Sequence, residues 1–334
     1  MERMIECVPN FSEGCNRHTI EAIAQSIRSV DGVSLLNIDP GEGAGRTVMT
    51  FVGEPEAAAE AAWRMTATAA QLIDMRLHHG THPRIGATDV LPLVPVSGIS
   101  LEETALIATS LARRIATELE IPCYLYEAAA VLPQHRNLAH CRKGDYEGLQ
   151  ARIDSNDPAE HPDLGWRPWD QQMARTGCTV VGARDFLIAV NFNLDSSDTE
   201  AANSIARAVR ESGWHGQPGS LPGTKAIGWY IPEYGFAQVS MNICDRSRTP
   251  LHRAYTEVCR QAEARGLRVT GTELIGMVPM QVLSDALLAL GGSTQGYDMK
   301  QQAEAAARLL RLDQIRPYIP EERVIELAVN KHKA

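Results

Sequence analysis

Apolar and polar positions along the chain alternate between two periods. Short apolar or alternating runs predict strands over residues 5–11, 33–38, 47–52 and 88–96. Apolar residues at helical spacing fill the gaps: the helix predicted over 19–30 puts Ile20, Ile23, Ala24 and Ile27 on one face, and an alanine-rich helix opened by Pro55 runs to 74. The order is β-α-β-β-α-β. Ser100 with Glu103 forms a capping-box signature ahead of an amphipathic helix over 101–119, and a strand follows at 123–126. Residues 133–176 are heavy in Asp, Pro, Arg and Trp and lack periodicity, which predicts an irregular boundary stretch long enough to serve as a binding loop or linker. The first order then returns, with strands predicted at 186–194, 225–231, 238–244 and from 267. Helices fall between them, one capped by Ser197 and Glu200 and one opened by Thr249-Pro250.

The halves share wording: VPNFSE is answered by VNFNLD, and RTVMTFVG by QVSMNICD. This predicts an α+β fold made of two pseudo-repeated split β-α-β (ferredoxin-like) subdomains, 1–178 and 179–334. Each is expected to be a mainly antiparallel sheet backed by helices, with two further helices in 299–331 and ligands between the sheets or at their edge.

Length fits this division, since 334 residues exceed the size at which one core usually stops growing. A net charge of -9 argues against nucleic acid and against an anionic membrane surface, leaving small-molecule partners. Seven scattered cysteines without a C-x-x-C pair read as free thiols in a reducing cytoplasm, and the N-terminus shows neither signal peptide nor membrane anchor.

Candidate chemistry concentrates in QLIDMRLHHGTHPRIGATDVLPLVPV, residues 71–96, where His78, His79 and His82 fall within five residues. Pro83 pushes the residue before it toward extended geometry, so His82 is expected on a loop. That breaks the one-face arrangement His78 and His82 would need as metal ligands, and with no third ligand at suitable spacing no metal is expected. His78 and His79 read as helix C-terminal residues suited to the macrodipole. GEGAG at 41–45 joins two predicted strands, which favours a hairpin over a phosphate loop. Asp39, at a strand end before Pro40, is open to two readings: a carboxylate that orients an imidazole, or a turn-initiating Asp. Arg46, Arg84, Arg142 and Arg184 stand at loop–strand junctions, where a guanidinium either forks onto a substrate carboxylate or is paired or solvated. There is no G-x-S-x-G elbow and no recognisable cysteine nucleophile motif.

ECVPNFSEG, DPG with RTVMTFVG, HHGTHPRIGATDV, YLYE, RKGDYEGL, VVGARDFLIAVNFNL, AIGWY and AQVSMNI, in that order from about residue 2 to about 328, resemble the formiminotransferase domain family. The resemblance implies two subdomains with a reduced folate in the cleft between them. It also implies transfer of a formimidoyl group between N-formimidoyl-L-glutamate and tetrahydrofolate as co-substrate, a step of histidine breakdown. The family's catalytic histidine, in H-P-R-x-G-A, falls on His82 as general acid/base, and the Asp of its DPG element falls on Asp39. Arg46, Arg84, Arg142 and Arg184 become candidates for substrate and folate. The segment contributing to the folate site, PDFGP-type in the family, reads PDLGW here and adds Asp163, Gly165 and Trp166. The family also implies a possible homodimer.

Three departures stand out. Gly45 replaces the asparagine that commonly precedes Arg-Thr-Val; the loop after PDLGW is longer and carries Trp169; and no cyclodeaminase domain follows, so the product would pass to a separate protein. The altered loops keep two alternatives open: the same chemistry on another amine, such as glycine or a specialised metabolite, and a folate-binding protein without turnover.

Overall fold

The structure, a computed structural model, describes residues 3–80 and 82–333, with side chains to residue 329. It divides into two compact units, Met1–Asp185 and Phe186–Ala334. The expected boundary at 178/179 falls too early, because the next strand belongs to the first sheet.

In the first unit the opening strand is split into β1 (Met4–Cys7) and β2 (Asn10–Phe11). It is followed by α1 (Arg17–Arg28), β3 (Val33–Gly41), β4 (Arg46–Gly53), α2 (Pro55–Leu72), β5 (Thr88–Ser97), α3 (Leu101–Glu118) and β6 (Cys123–Glu127). Local chemistry sets the helix starts. Asn16 accepts the His18 and Thr19 N–H groups at the head of α1, Pro55 opens α2, and Ser100 with Glu103 forms the full capping box of α3. β3 and β4 form the expected hairpin around the glycine-rich turn, with Gly41 opposite Arg46.

The stretch expected to be irregular is instead short helices. A 3-10 turn at Pro133–Arg136 leads to α4 (Leu138–Cys141) and α5 (Asp145–Ile153), and a second at Pro158–Glu160 precedes α6 (Gln171–Thr176). Their buried Cys141, Leu149, Ile153 and Met173 form a small core with Val90, Tyr124, Tyr126 and Val180. Elements this short leave no periodic trace in the sequence.

β7 (Thr179–Ala183), unanticipated, lies parallel between β5 and β6, so the first sheet is mainly antiparallel, as expected, but carries a parallel edge. Its side chains serve both faces: Val180 joins the small core, while Val181 and Ala183 join the main one. Burial on both faces removes the alternation that marks a strand. The main core packs Ile23, Ile27, Met65, Leu111 and Ile115 of the helices against Ile5, Phe11, Met49, Phe51 and Leu91 of the strands.

The second unit runs β8 (Ile188–Leu194), α7 (Thr199–Val209), β9 (Thr224–Ile231), β10 (Phe236–Ile243), α8 (Leu251–Glu263) and β11 (Val269–Ile275). α9 (Met280–Ala289), α10 (Met299–Leu310), α11 (Pro320–Arg323) and α12 (Ile325–Lys333) complete it. Its four strands are antiparallel throughout, in the order β11-β8-β10-β9. Alternation is clean here: Ile188, Val190, Phe192 and Leu194 face the helical core. On β8 and β10, Asn193 and Gln238 bond one another at 2.8 Å, and Trp229 Nε1 donates to Gln238 at 2.9 Å. α9 was not anticipated, since Pro279 rather than a polar cap precedes it.

Candidate active site

His82 stands where several elements of the first unit meet. β2 supplies Asn10, β3 Asp39, β4 Arg46 as its first residue and β5 Asp89, and Arg142 caps the end of α4. Asn10 turns its Nδ2 back onto Val8 O at 3.2 Å, which leaves Oδ1 to accept from Arg46 Nη1 at 2.5 Å. Asp89, 2% exposed, accepts the Ile85 N–H at 3.0 Å and Arg142 Nε at 3.2 Å on one oxygen, and Arg142 Nη2 on the other. This is a buried forked ion pair, and it brings a guanidinium from the polar stretch beside the histidine.

The half-buried His82 ring bonds through Nδ1 to Pro83 O at 2.8 Å. A carbonyl only accepts, so Nδ1 carries the proton and Nε2 keeps its lone pair. Burial, followed by the nearby charges of Arg46 and Arg142, pushes the His82 pKa down to about 2; the Pro83 bond opposes them. Arg46 is itself lowered to about 10 by burial and by Arg142, with Asp89 and Asp39 holding it toward the charged form. At neutral pH the site is therefore a neutral imidazole beside two cations.

The loop carrying this ring is clamped to the β3–β4 hairpin. The His82 N–H approaches Ala44 O at 3.4 Å, and His78 Nε2 lies 2.7 Å from Gly45 O. Glycine is required on both sides of the contact. A Cβ on Gly45, whose φ is +67°, would stand 2.9 Å from Gly80 Cα, and one on Gly80 would stand 2.6 Å from Ala44 O.

His78 and His79 are not at a helix end. α2 stops at Leu72, where buried Ile73 turns extended and the Met75 N–H is taken by Arg175 O at 2.8 Å. The chain is drawn onto α6 before it reaches the histidines.

Residues 4–184 match the formiminotransferase domain, N-terminal subdomain, and residues 189–330 match the formiminotransferase domain. A glutamate formimidoyltransferase of Streptococcus pyogenes serotype M1 is 40% identical over 85% of this chain and 92% of its own length. The chain belongs to the formiminotransferase domain family. A second glutamate formimidoyltransferase, from Thermoplasma acidophilum, is 36% identical over 92% of this chain and 99% of its own. The formimidoyltransferase-cyclodeaminase of Rattus norvegicus is 42% identical over 98% of this chain, which spans 60% of that longer protein.

In this family member the four candidate arginines have separate fates. Arg84, 8% exposed at its side chain, forks onto both oxygens of Glu147 at 2.6 and 2.8 Å. Arg142 forks onto Asp89. Arg184 Nη1 donates to Asp185 O at 2.9 Å. Arg46 alone of the four hydrogen-bonds to a neutral side-chain amide, Asn10, and its guanidinium shows no other hydrogen bond among the described residues.

The PDLGW residues have other contacts. Asp163 accepts from Leu125 N–H at 2.7 Å and pairs with fully buried His135 at 3.0 Å. Gly165, at φ +70°, abuts Ala116. Trp166 stacks on His161 at 4.8 Å. Among the described residues, none of these shares a hydrogen bond, ion pair or ring contact with His82.

The sequence reading missed Asn10, Asp89 and Glu147. Asp89 leaves a trace, a lone carboxylate inside the apolar strand TDVLPLVPVS.

Proposed function

We propose that this chain transfers a formimidoyl group between N-formimidoyl-L-glutamate and tetrahydrofolate, with His82 moving the proton. The observation that carries this is the tautomer of His82: Nδ1–H is fixed on Pro83 O, which leaves a bare Nε2 on a ring that feels the charges of Arg46 and Arg142. In the proposed reaction a ring amine of the folate attacks the amidine carbon. His82 Nε2 takes the proton that amine loses, and the C=N electron pair moves onto nitrogen to give a tetrahedral intermediate. The intermediate collapses as that nitrogen pair re-forms C=N, the old C–N bond breaks with its electrons leaving on the glutamate nitrogen, and His82 returns the proton to that nitrogen. Burial and the charges of two guanidiniums make the imidazolium unstable, which favours the return of the proton.

Arg46 has donors left for the donor substrate's carboxylate. That carboxylate would offset the positive field and raise the basicity of His82 when substrate is bound. Asp39 supports the same reading through Arg46, whose charged form it favours. Folate as co-substrate follows from the family. Asp163, Gly165 and Trp166 take no part in the proposed chemistry.

The sheet orders support the reading of two ferredoxin-like pseudo-repeats. Taking β1 and β2 as one strand, the first β-α-β-β-α-β segment runs second, third, first, fourth, and the second sheet has that order read from its other edge.

The test is turnover of purified protein with tetrahydrofolate and N-formimidoyl-L-glutamate, with the glycine and aspartate analogues in parallel. His82→Ala is expected to lower kcat by about 10²–10⁴-fold while tetrahydrofolate still binds. Equal losses of binding and turnover would overturn the assignment, and turnover with another donor alone would favour the different-amine alternative.

A further inference from the structure

His78 is tied on both sides. Its Nε2 is 2.7 Å from Gly45 O, so Nε2 carries the proton and donates to the hairpin carbonyl. Its Nδ1 keeps a lone pair and accepts from Arg84 Nε at 3.4 Å, while Arg84 Nη2 donates to His78 O at 3.3 Å. Arg84 is held in turn by the fork onto Glu147 of α5. A continuous chain of contacts thus runs from α5 through Arg84 and His78 to the β3–β4 turn. The glycine contact between Gly45 and Gly80 closes that turn onto the loop that carries His82.

Resting on the reading of His82 given above, we propose that His78 is a positioning residue: its Nε2–H bond to Gly45 O holds the hairpin turn against the His82 loop and so fixes where the His82 imidazole stands. Burial, with Arg84 facing Nδ1, lowers the His78 pKa, which keeps the ring in the neutral tautomer that the two bonds require. His78 touches none of the reacting atoms in this scheme. Its contribution is geometric, and a displacement near 1 Å at the catalytic ring costs about 10²-fold in rate.

Two amide replacements separate the bonds. The terminal N–H₂ of glutamine reaches the place of Nε2 and can donate to Gly45 O; asparagine reaches only the place of Nδ1 and can accept only from Arg84. In steady-state assays of formimidoyl transfer, His78→Asn and His78→Ala are expected to lose about 10²-fold in kcat with KM changed about twofold or less, and His78→Gln to recover most of that loss. Gly80→Ala, whose Cβ would meet Ala44 O at 2.6 Å, is expected to lose kcat in the same way.

Thermal melting of each variant identifies any that is merely unfolded, and the Gln–Asn comparison is made at matched melting temperature. Wild-type kcat in His78→Asn beside an inactive His82→Ala would overturn the positioning role alone, as would equal losses in His78→Gln and His78→Asn. Full activity in His82→Ala would remove the reading beneath it.

Discussion

At the scale of the residue, His82 shows how neighbours override an intrinsic property. A free imidazole titrates near 6.5. Here burial and the charges of Arg46 and Arg142 hold the ring down to about 2. The folded pKa lies below the unfolded one, so as pH falls below about 6.5 the unfolded chain takes up a proton that the folded chain refuses. The contribution of His82 to stability is therefore complete above that pH and is lost progressively as the solution is acidified. Urea midpoints of wild type and His82→Ala at pH 7.5, 6 and 5 check this: the wild type is expected to lose more stability across the series than the variant, and parallel losses would refute the assigned shift. The candidate histidine was legible in the sequence, because Gly80 and Pro83 frame it. Its protonation state was not, because the charges that set it arrive on β4 and α4, elements distant in the chain. The same distance hid the contact of His78, which meets Gly45 only once the hairpin and the loop have packed.

At the scale of the element, long periodic segments were legible and short aperiodic ones were not. α1, α2 and α3 stand close to where apolar spacing and caps put them, and the β3–β4 turn has the predicted form. The helices between 133 and 176 escaped because each spans nine residues or fewer and buries at most two apolar side chains. Two forked pairs tie that stretch to the site, in different surroundings. Asp89 and Arg142 are buried together, at 3% and 12% side-chain exposure, whereas Glu147 is 61% exposed against Arg84. Arg142→Met leaves the Asp89 carboxylate buried and unpaired, at an expected cost of about 3–5 kcal/mol in urea unfolding. Glu147→Gln keeps the shape of a solvent-screened partner and is expected to cost about 1 kcal/mol or less. Similar costs for the two would show that the Asp89 pair is solvated and does not anchor α4.

At the scale of the whole molecule, the mixed α and β character and the charge were both legible, and the charge sets up an opposition between the protein and its site. The chain carries a net charge of -9, yet Arg46 and Arg142 flank a neutral imidazole. The proposed donor is an anion, and it meets two fields of different range. Repulsion from the acidic surface acts through solvent, and its reach shrinks as the Debye length falls from about 30 Å at 0.01 M to about 8 Å at 0.15 M salt. Attraction by Arg46 acts at hydrogen-bond range beside a buried ion pair, where salt screens it little. Raising ionic strength over that range with an inert salt is therefore expected to increase kcat/KM for the anionic donor by a few-fold while leaving kcat nearly constant. A fall in kcat/KM would mean that the positive site steers the donor from long range and outweighs the surface. Arg46→Met distinguishes the short-range part: it is expected to raise KM for the donor at every salt concentration and to leave the salt trend in place, since that trend belongs to the surface and not to the guanidinium.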